Sequence, residues 1–291
     1  MLSSRMWSTI LSLAVLIPSV LGAALTQVTN FGSNPTNVSM YIYVPDNVVA
    51  NPPIIVALHY CTGSAAAYFN GTQYAALAET YGYIVIYPEA PSSVKCFDVS
   101  SNATLTHNAG GDSLGIVSMV RYTIAQYAAD ASRVFMTGSS SGAMMTNVLA
   151  GAYPDVFAAG AGFSGVPYGC MAGTLPWSTQ CAAGQLIQTA QAWGDEAFGG
   201  YPGYNGTRPR MQLWHGTADV ILAYQNLIEA NKQWSDVFGI SFTSNNTNTP
   251  IANYTQMIYG DGSQYVAYSA VGVGHTVPVR EADVLSWFGI A

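Results

Sequence analysis

Two textures of apolar residue run along this chain. The first is the short unbroken run: Pro53-Ile54-Ile55-Val56-Ala57-Leu58-His59 and Tyr83-Ile84-Val85-Ile86-Tyr87. Runs of this length suit strands buried on both faces of a parallel sheet. Arg133-Val134-Phe135-Met136-Thr137, Phe157 to Ser164 and Arg210 to His215 read the same way, and Met40 to Val44 reads as an early edge strand. The second texture has helical spacing. From Ser113 to Ala129, the residues Ile116, Met119, Val120, Ile124 and Tyr127 fall on one face. Ala65 to Tyr81, Ala143 to Ala150 and Leu222 to Phe238 are further helical stretches, and a terminal helix is expected around Trp287-Phe288. Strands that alternate with helices predict an α/β fold: a doubly wound, mostly parallel sheet with helices on both faces. Two stretches interrupt the alternation, Pro88 to Asp112 and Gly169 to Gly206. The second would form a lid or rim, or a loop-rich insertion.

The first residues stand apart from this pattern. Arg5 supplies a positive start, Thr9 to Val20 is mostly apolar, and Gly22-Ala23-Ala24 offers small residues for cleavage. That is the pattern of a secretory signal peptide over residues 1–23. Ser12, Pro18 and Ser19 interrupt the run that a membrane anchor would need. Residues 24–291 then suit one catalytic domain, without an appended carbohydrate-binding module.

Charge narrows the partners. Eight Lys and Arg face fifteen Asp and Glu. An acidic, sparsely charged surface repels nucleic acid and anionic membranes and is indifferent to a neutral polymer. A monomer is expected. The four cysteines, Cys61, Cys96, Cys170 and Cys181, suggest two disulfides in a secreted chain. Three pairings are available, and Cys61–Cys96 with Cys170–Cys181 is the favoured one. No zinc-ligand spacing occurs, so neither a metal nor another cofactor is expected. Glycosylation sequons lie at Asn37, Asn70, Asn102, Asn205, Asn245 and Asn253.

The candidate chemistry centres on Gly138-Ser139-Ser140-Ser141-Gly142. This Gly-x-Ser-x-Gly sits between a predicted strand and a predicted helix, the setting of a nucleophile elbow. A serine nucleophile needs a base, and the base needs an acid to orient it. In α/β-hydrolases the chain order is Ser, then Asp or Glu, then His. His59 and His107 precede Ser140. His215 falls inside an apolar strand and reads as structural. His275 lies in the glycine-rich loop Gly272-Val273-Gly274-His275-Thr276-Val277-Pro278 and is the candidate base. Of the acids between Ser140 and His275, Asp219 follows a buried strand directly. Glu229 and Asp236 fall in a helix and are expected to face solvent. Asp155 reads as a turn residue, and Asp195 and Asp261 lack a preceding strand. The oxyanion hole would use the amide of Ser141 and a second from Cys61 or Thr62 in His59-Tyr60-Cys61-Thr62-Gly63.

Together, the loop from His59 to Gly63, Thr137 to Met145, Tyr201-Pro202-Gly203-Tyr204, Trp214 to Asp219 and Gly272 to Pro278 resemble the fungal secreted acetylxylan esterases of carbohydrate esterase family one. Feruloyl esterases and polyhydroxybutyrate depolymerase-like proteins are relatives. The resemblance implies an α/β-hydrolase fold, with Ser140, Asp219 and His275 at the family's triad positions. It implies hydrolysis of acetyl esters on xylan outside the cell, with feruloyl ester hydrolysis as the alternative and a non-catalytic carbohydrate-binding protein as the rival from another class. A neutral polysaccharide is gripped by aromatic rings, and Trp177, Trp193, Tyr201 and Tyr204 are candidates to line its cleft.

Overall fold

A computed structural model describes residues 23–291; residues 1–22, which hold nearly all of the expected signal peptide, lie outside the described residues. Among the described residues, ten strands form one sheet: β1 (Thr26–Val28), β2 (Ser39–Tyr43), β3 (Ile54–Leu58), β4 (Ile84–Glu89), β5 (Val134–Ser139), β6 (Ala159–Phe163), β7 (Arg210–Gly216), β8 (Phe242–Thr247), β9 (Tyr254–Tyr259) and β10 (Tyr265–Ala270). Their order is β1-β2-β4-β3-β5-β6-β7-β10-β9-β8. The inner strands from β4 to β10 run parallel, and β1, β2, β9 and β8 finish the two margins antiparallel. The helices are α1 (Ala65–Gly71), α2 (Tyr74–Tyr81), α3 (Asn102–Leu105), α4 (Gly111–Tyr127), α5 (Ser141–Ala152), α6 (Thr179–Ala182), α7 (Ala190–Gly199), α8 (Gln225–Phe238) and α9 (Glu281–Phe288).

The unbroken apolar runs are explained by two cores, one on each face of the sheet. Ile54, Val56 and Leu58 of β3 point to the side covered by α4, α5 and α8, with Ile116, Met145 and Trp234. Ile55 and Ala57 point to the other side, where Tyr74 of α2 and Phe288 of α9 pack. Successive side chains alternate across a strand, so a strand between two helical layers must be apolar throughout.

Several boundaries differ from the sequence reading. The single helix expected over 65–81 is two helices, because Thr72 and Gln73 leave helical geometry between them. The helix expected from Leu222 begins at Gln225, since residues 220–223 form the turn that carries the acid loop. The interruption at 169–206 contains α6 and α7. Strands β8 to β10 follow α8; β8 is exposed along most of its length and has no apolar run to announce it.

Candidate active site

The geometry of the elbow begins with two glycines. A Cβ on Gly142 would lie 2.1 Å from the Leu58 carbonyl oxygen, and one on Gly138 would lie 2.4 Å from the Gly142 carbonyl carbon. Only glycine lets β5, α5 and the end of β3 approach so closely. Ser140 itself has φ 53° and ψ −115°, a strained conformation that lifts its side chain above the sheet. Its amide donates to the Phe163 carbonyl at 2.8 Å, which ties the turn to β6.

Asp219 and His275 arrive on loops that are stitched together. Gly216 ends β7, and a Cβ there would lie 2.2 Å from the Val273 carbonyl oxygen. That close approach lets the Ala218 amide donate to the Val273 carbonyl at 2.9 Å, and the Gly272 amide donate to Thr217 Oγ1 at 2.9 Å. The result is one continuous chain of hydrogen bonds. His275 Nδ1 donates to Asp219 Oδ2 at 2.8 Å, and Ser140 Oγ donates to His275 Nε2 at 2.8 Å. The carboxylate has no proton to give, so it fixes the proton on Nδ1 and leaves the Nε2 lone pair facing the serine. Burial alone pushes the Asp219 carboxyl up. Hydrogen bonds from His215, His275 and the amides of Leu222 and Ile221 outweigh it and hold the group well below the usual carboxylate range.

The oxyanion candidates separate. Ser141 is the first residue of α5, where an amide has no intrahelical acceptor. The amide of Thr62 is already spent on the Val94 carbonyl at 2.8 Å, which corrects its candidacy. Cys61 remains. One segment braces both remaining candidates: Cys96 is disulfide-bonded to Cys61, and the Phe97 amide donates to Ser141 Oγ at 2.8 Å. His59 shapes the same loop. Its Nε2 accepts from the Ala90 amide at 3.1 Å, so Nδ1 carries the proton and donates to the Tyr60 carbonyl at 2.7 Å. Burial holds the pKa of His59 below its ordinary value.

His59 and Asp219 make a pH prediction. Both have a folded-state pKa below the unfolded one, so the unfolded chain binds more protons and stability is lost as pH falls. The His59 contribution should fade first, below about pH 6.5, and that of Asp219 below about pH 4. Melting temperature measured against pH should therefore fall less between pH 7 and 5 in His59→Gln than in the wild type. Parallel curves would refute this.

The serine opens into a cavity of about 1030 Å³. Buried Tyr68, Phe163 and Val277 form its inner wall, and exposed Tyr60, Trp177 and Ile221 its rim. The other aromatic candidates lie elsewhere. Trp193 is fully buried, and its Nε1–H donates to Glu229 Oε2 at 2.7 Å. Tyr201 stacks on His107 at 3.6 Å, and His107 Nδ1 donates to the carbonyl of Ala152, at the far end of α5. Tyr204 stacks in turn on Tyr201. At about 1.5 Å per residue, α5 is roughly 18 Å long, so the end these rings cover is remote from the serine, and neither tyrosine lines its cavity. Glu229, expected to face solvent, is buried; it also accepts from Gln188, Gln225 and Lys232. Both disulfides pair as favoured from the sequence, Cys61–Cys96 and Cys170–Cys181. All six sequon asparagines are exposed. Among the described residues, no cluster of three His, Cys, Asp or Glu side chains could hold a metal ion, and no helix is long and apolar enough to cross a membrane.

A hydroxyl, an imidazole and a buried carboxylate in series, beyond the carboxyl ends of the parallel strands β5, β10 and β7, define a serine hydrolase of the α/β-hydrolase class. The chain belongs to the esterase family that includes the fungal acetylxylan and feruloyl esterases. A family model described as esterase PHB depolymerase matches residues 38–189. Feruloyl esterase B of Talaromyces funiculosus is 55% identical over 286 residues, covering 97% of this chain and 81% of that protein. Acetylxylan esterase A of Emericella nidulans is 53% identical over 272 residues, covering 91% of this chain and 89% of that one. The solved acetyl xylan esterase from Aspergillus awamori superposes with a TM-score of 0.90 at 50% identity, covering 92% of this chain and 100% of that chain.

Proposed function

We propose that this esterase removes acetyl groups from acetylated xylan outside the cell, with Ser140 as nucleophile, His275 as general base and acid, and Asp219 as the residue that orients it. The observation that carries the reading is the unbroken relay from Asp219 to Ser140, open to a cavity at its serine end. The serine hydroxyl passes its proton to His275 Nε2 and attacks the acetyl carbonyl. The amides of Ser141 and Cys61 stabilise the oxyanion. Collapse returns the proton to the leaving sugar hydroxyl, and an acetyl-enzyme remains. Water, deprotonated by the same imidazole, then releases acetate and restores the serine. Trp177, half exposed at the rim, offers a face for the sugar chain. Two disulfides and six exposed sequons support an extracellular, glycosylated site of action, and the relay is complete within one chain, which fits a monomer.

One observation favours a second reading, hydrolysis of feruloyl esters. The cavity is far larger than an acetyl group needs, and Tyr68, Phe163 and Val277 line it with apolar surface suited to an aromatic acid. Parallel assays on acetylated xylan and methyl ferulate test the choice. Acetate release should exceed ferulate release by at least about tenfold in kcat/KM, the scale on which pocket fit separates two acyl groups. The reverse ratio would replace the first reading with the second.

A further inference from the structure

The acid of the relay serves two imidazoles. His215 Nε2 lies 2.8 Å from the Leu222 carbonyl and 3.1 Å from Asp219 Oδ2. A carbonyl oxygen only accepts, so Nε2 bears the proton, and that N–H is shared between the carbonyl and the carboxylate. His215 is almost fully buried, and the side chain of Asp219 is wholly so. Oδ2 therefore receives N–H groups from His275 and His215, while Oδ1 receives the amides of Ile221 and Leu222.

We propose that His215 is a positioning residue for catalysis: its Nε2–H holds the Asp219 carboxylate in the orientation that the His275 imidazole needs. The proposal rests on the functional reading above and adds a residue to it. The physical case is a division of labour on one oxygen. His275 is partly exposed and sits in a loop, and its ring must serve two proton transfers in each acyl step. If it were the sole side-chain donor to Oδ2, each displacement of the ring would leave a buried charge under-satisfied, which is costly. His215 is anchored at the end of β7, so its donor stays in place whatever the other ring does.

The charged surroundings are few. His215 approaches Asp219 from β7 and His275 from the loop before α9, and Tyr224 at the start of α8 packs edge-on against the His215 ring at 6.1 Å. Among the described residues, no lysine, arginine or second carboxylate pairs with either His215 or Asp219. Loss of the His215 donor should therefore be felt directly. The carboxylate becomes more basic, takes up a proton at higher pH, and draws the Nδ1 proton of His275 more strongly. Both effects move the acid limb of the activity profile to higher pH.

The test compares His215→Gln with His215→Asn. The Gln amide nitrogen can occupy the place of Nε2; the shorter Asn amide cannot reach it. The readouts are kcat and KM on p-nitrophenyl acetate and the rate of fluorophosphonate labelling against pH. Asn should lower kcat by about 10- to 100-fold, the range of one hydrogen bond to a charged group. KM should stay within about twofold, and the acid limb should move up by about half a pH unit or more. Gln should recover most of both effects. Coincident Gln and Asn profiles with an unmoved limb would overturn the proposal while leaving the serine assignment intact; a wild type that the probe does not label would overturn both. A ¹⁵N imidazole spectrum of the wild type depends on no variant. It should show His215 with its proton on Nε2, and the opposite tautomer would refute the proposal.

Discussion

Ser140→Ala should lower kcat on any accepted ester by about 10⁵- to 10⁶-fold, with KM nearly unchanged. The size of the effect follows from the seriality of the site. In the proposed mechanism Ser140 Oγ forms the covalent bond, and His275 Nε2 at 2.8 Å takes its proton, hands it to the leaving oxygen and then deprotonates the water. Without the hydroxyl, the imidazole can only activate a water in a cavity arranged for an attached nucleophile. The residual rate would come from the oxyanion donors and substrate binding. Asp219→Asn should cost about 10⁴-fold, because an amide in place of the carboxylate no longer fixes the Nδ1–H tautomer. Steady-state kinetics on one soluble acetate ester checks both, with circular dichroism to show that the fold is intact. A Ser140→Ala enzyme within tenfold of the wild type would remove the nucleophile from the mechanism.

Gly142→Ala should destabilise the fold by about 3 kcal/mol or more and lower Tm by roughly 6–12 °C. The new methyl carbon would lie 2.1 Å from the Leu58 carbonyl oxygen and 2.8 Å from that of His59. Both are backbone atoms at the end of the central strand β3, where Leu58 is paired with Gly138 of β5, so neither can give way cheaply. The retreat of α5 would also carry Ser140 and the Ser141 amide away from Cys61, so activity should fall with stability. Gly71→Ala is the control. It sits in α1, with nothing within 4 Å of the added carbon, and should leave Tm unchanged or raise it slightly. Thermal melts of the two variants decide the matter: equal Tm values would mean that the close approach is not a constraint.

How much of this could be read beforehand depended on the kind of information each residue carries. Strands β3, β4 and β5 were legible because burial on two faces leaves an unbroken apolar signature. The meeting of Ser140, Asp219 and His275 was legible because a parallel sheet delivers consecutive strand ends to one edge, so residues far apart in the chain arrive together. Glu229 was not legible. A carboxylate on a helix faces solvent unless partners pay for its burial, and the partners here, Trp193, Gln188 and Lys232, come partly from a segment that has no apolar rhythm. The placement of Tyr201 and Tyr204 near the cleft failed for a related reason. Irregular sequence gives no direction to the chain, and these rings cover the base of α5 rather than its tip. The choice between Cys61 and Thr62 rested on one backbone hydrogen bond to Val94, in a loop whose path a disulfide sets.

The loop that carries His275 also supplies Val277, Pro278 and Val279 to the cavity wall, two to four residues beyond the imidazole. Proton relay and acyl fit are thus written side by side in one short stretch, yet in different side chains. Drift at the three wall positions can reshape the acid that fits while the imidazole keeps its bond to Asp219. This gives a simple route by which close cousins diverge in diet without rebuilding their machinery.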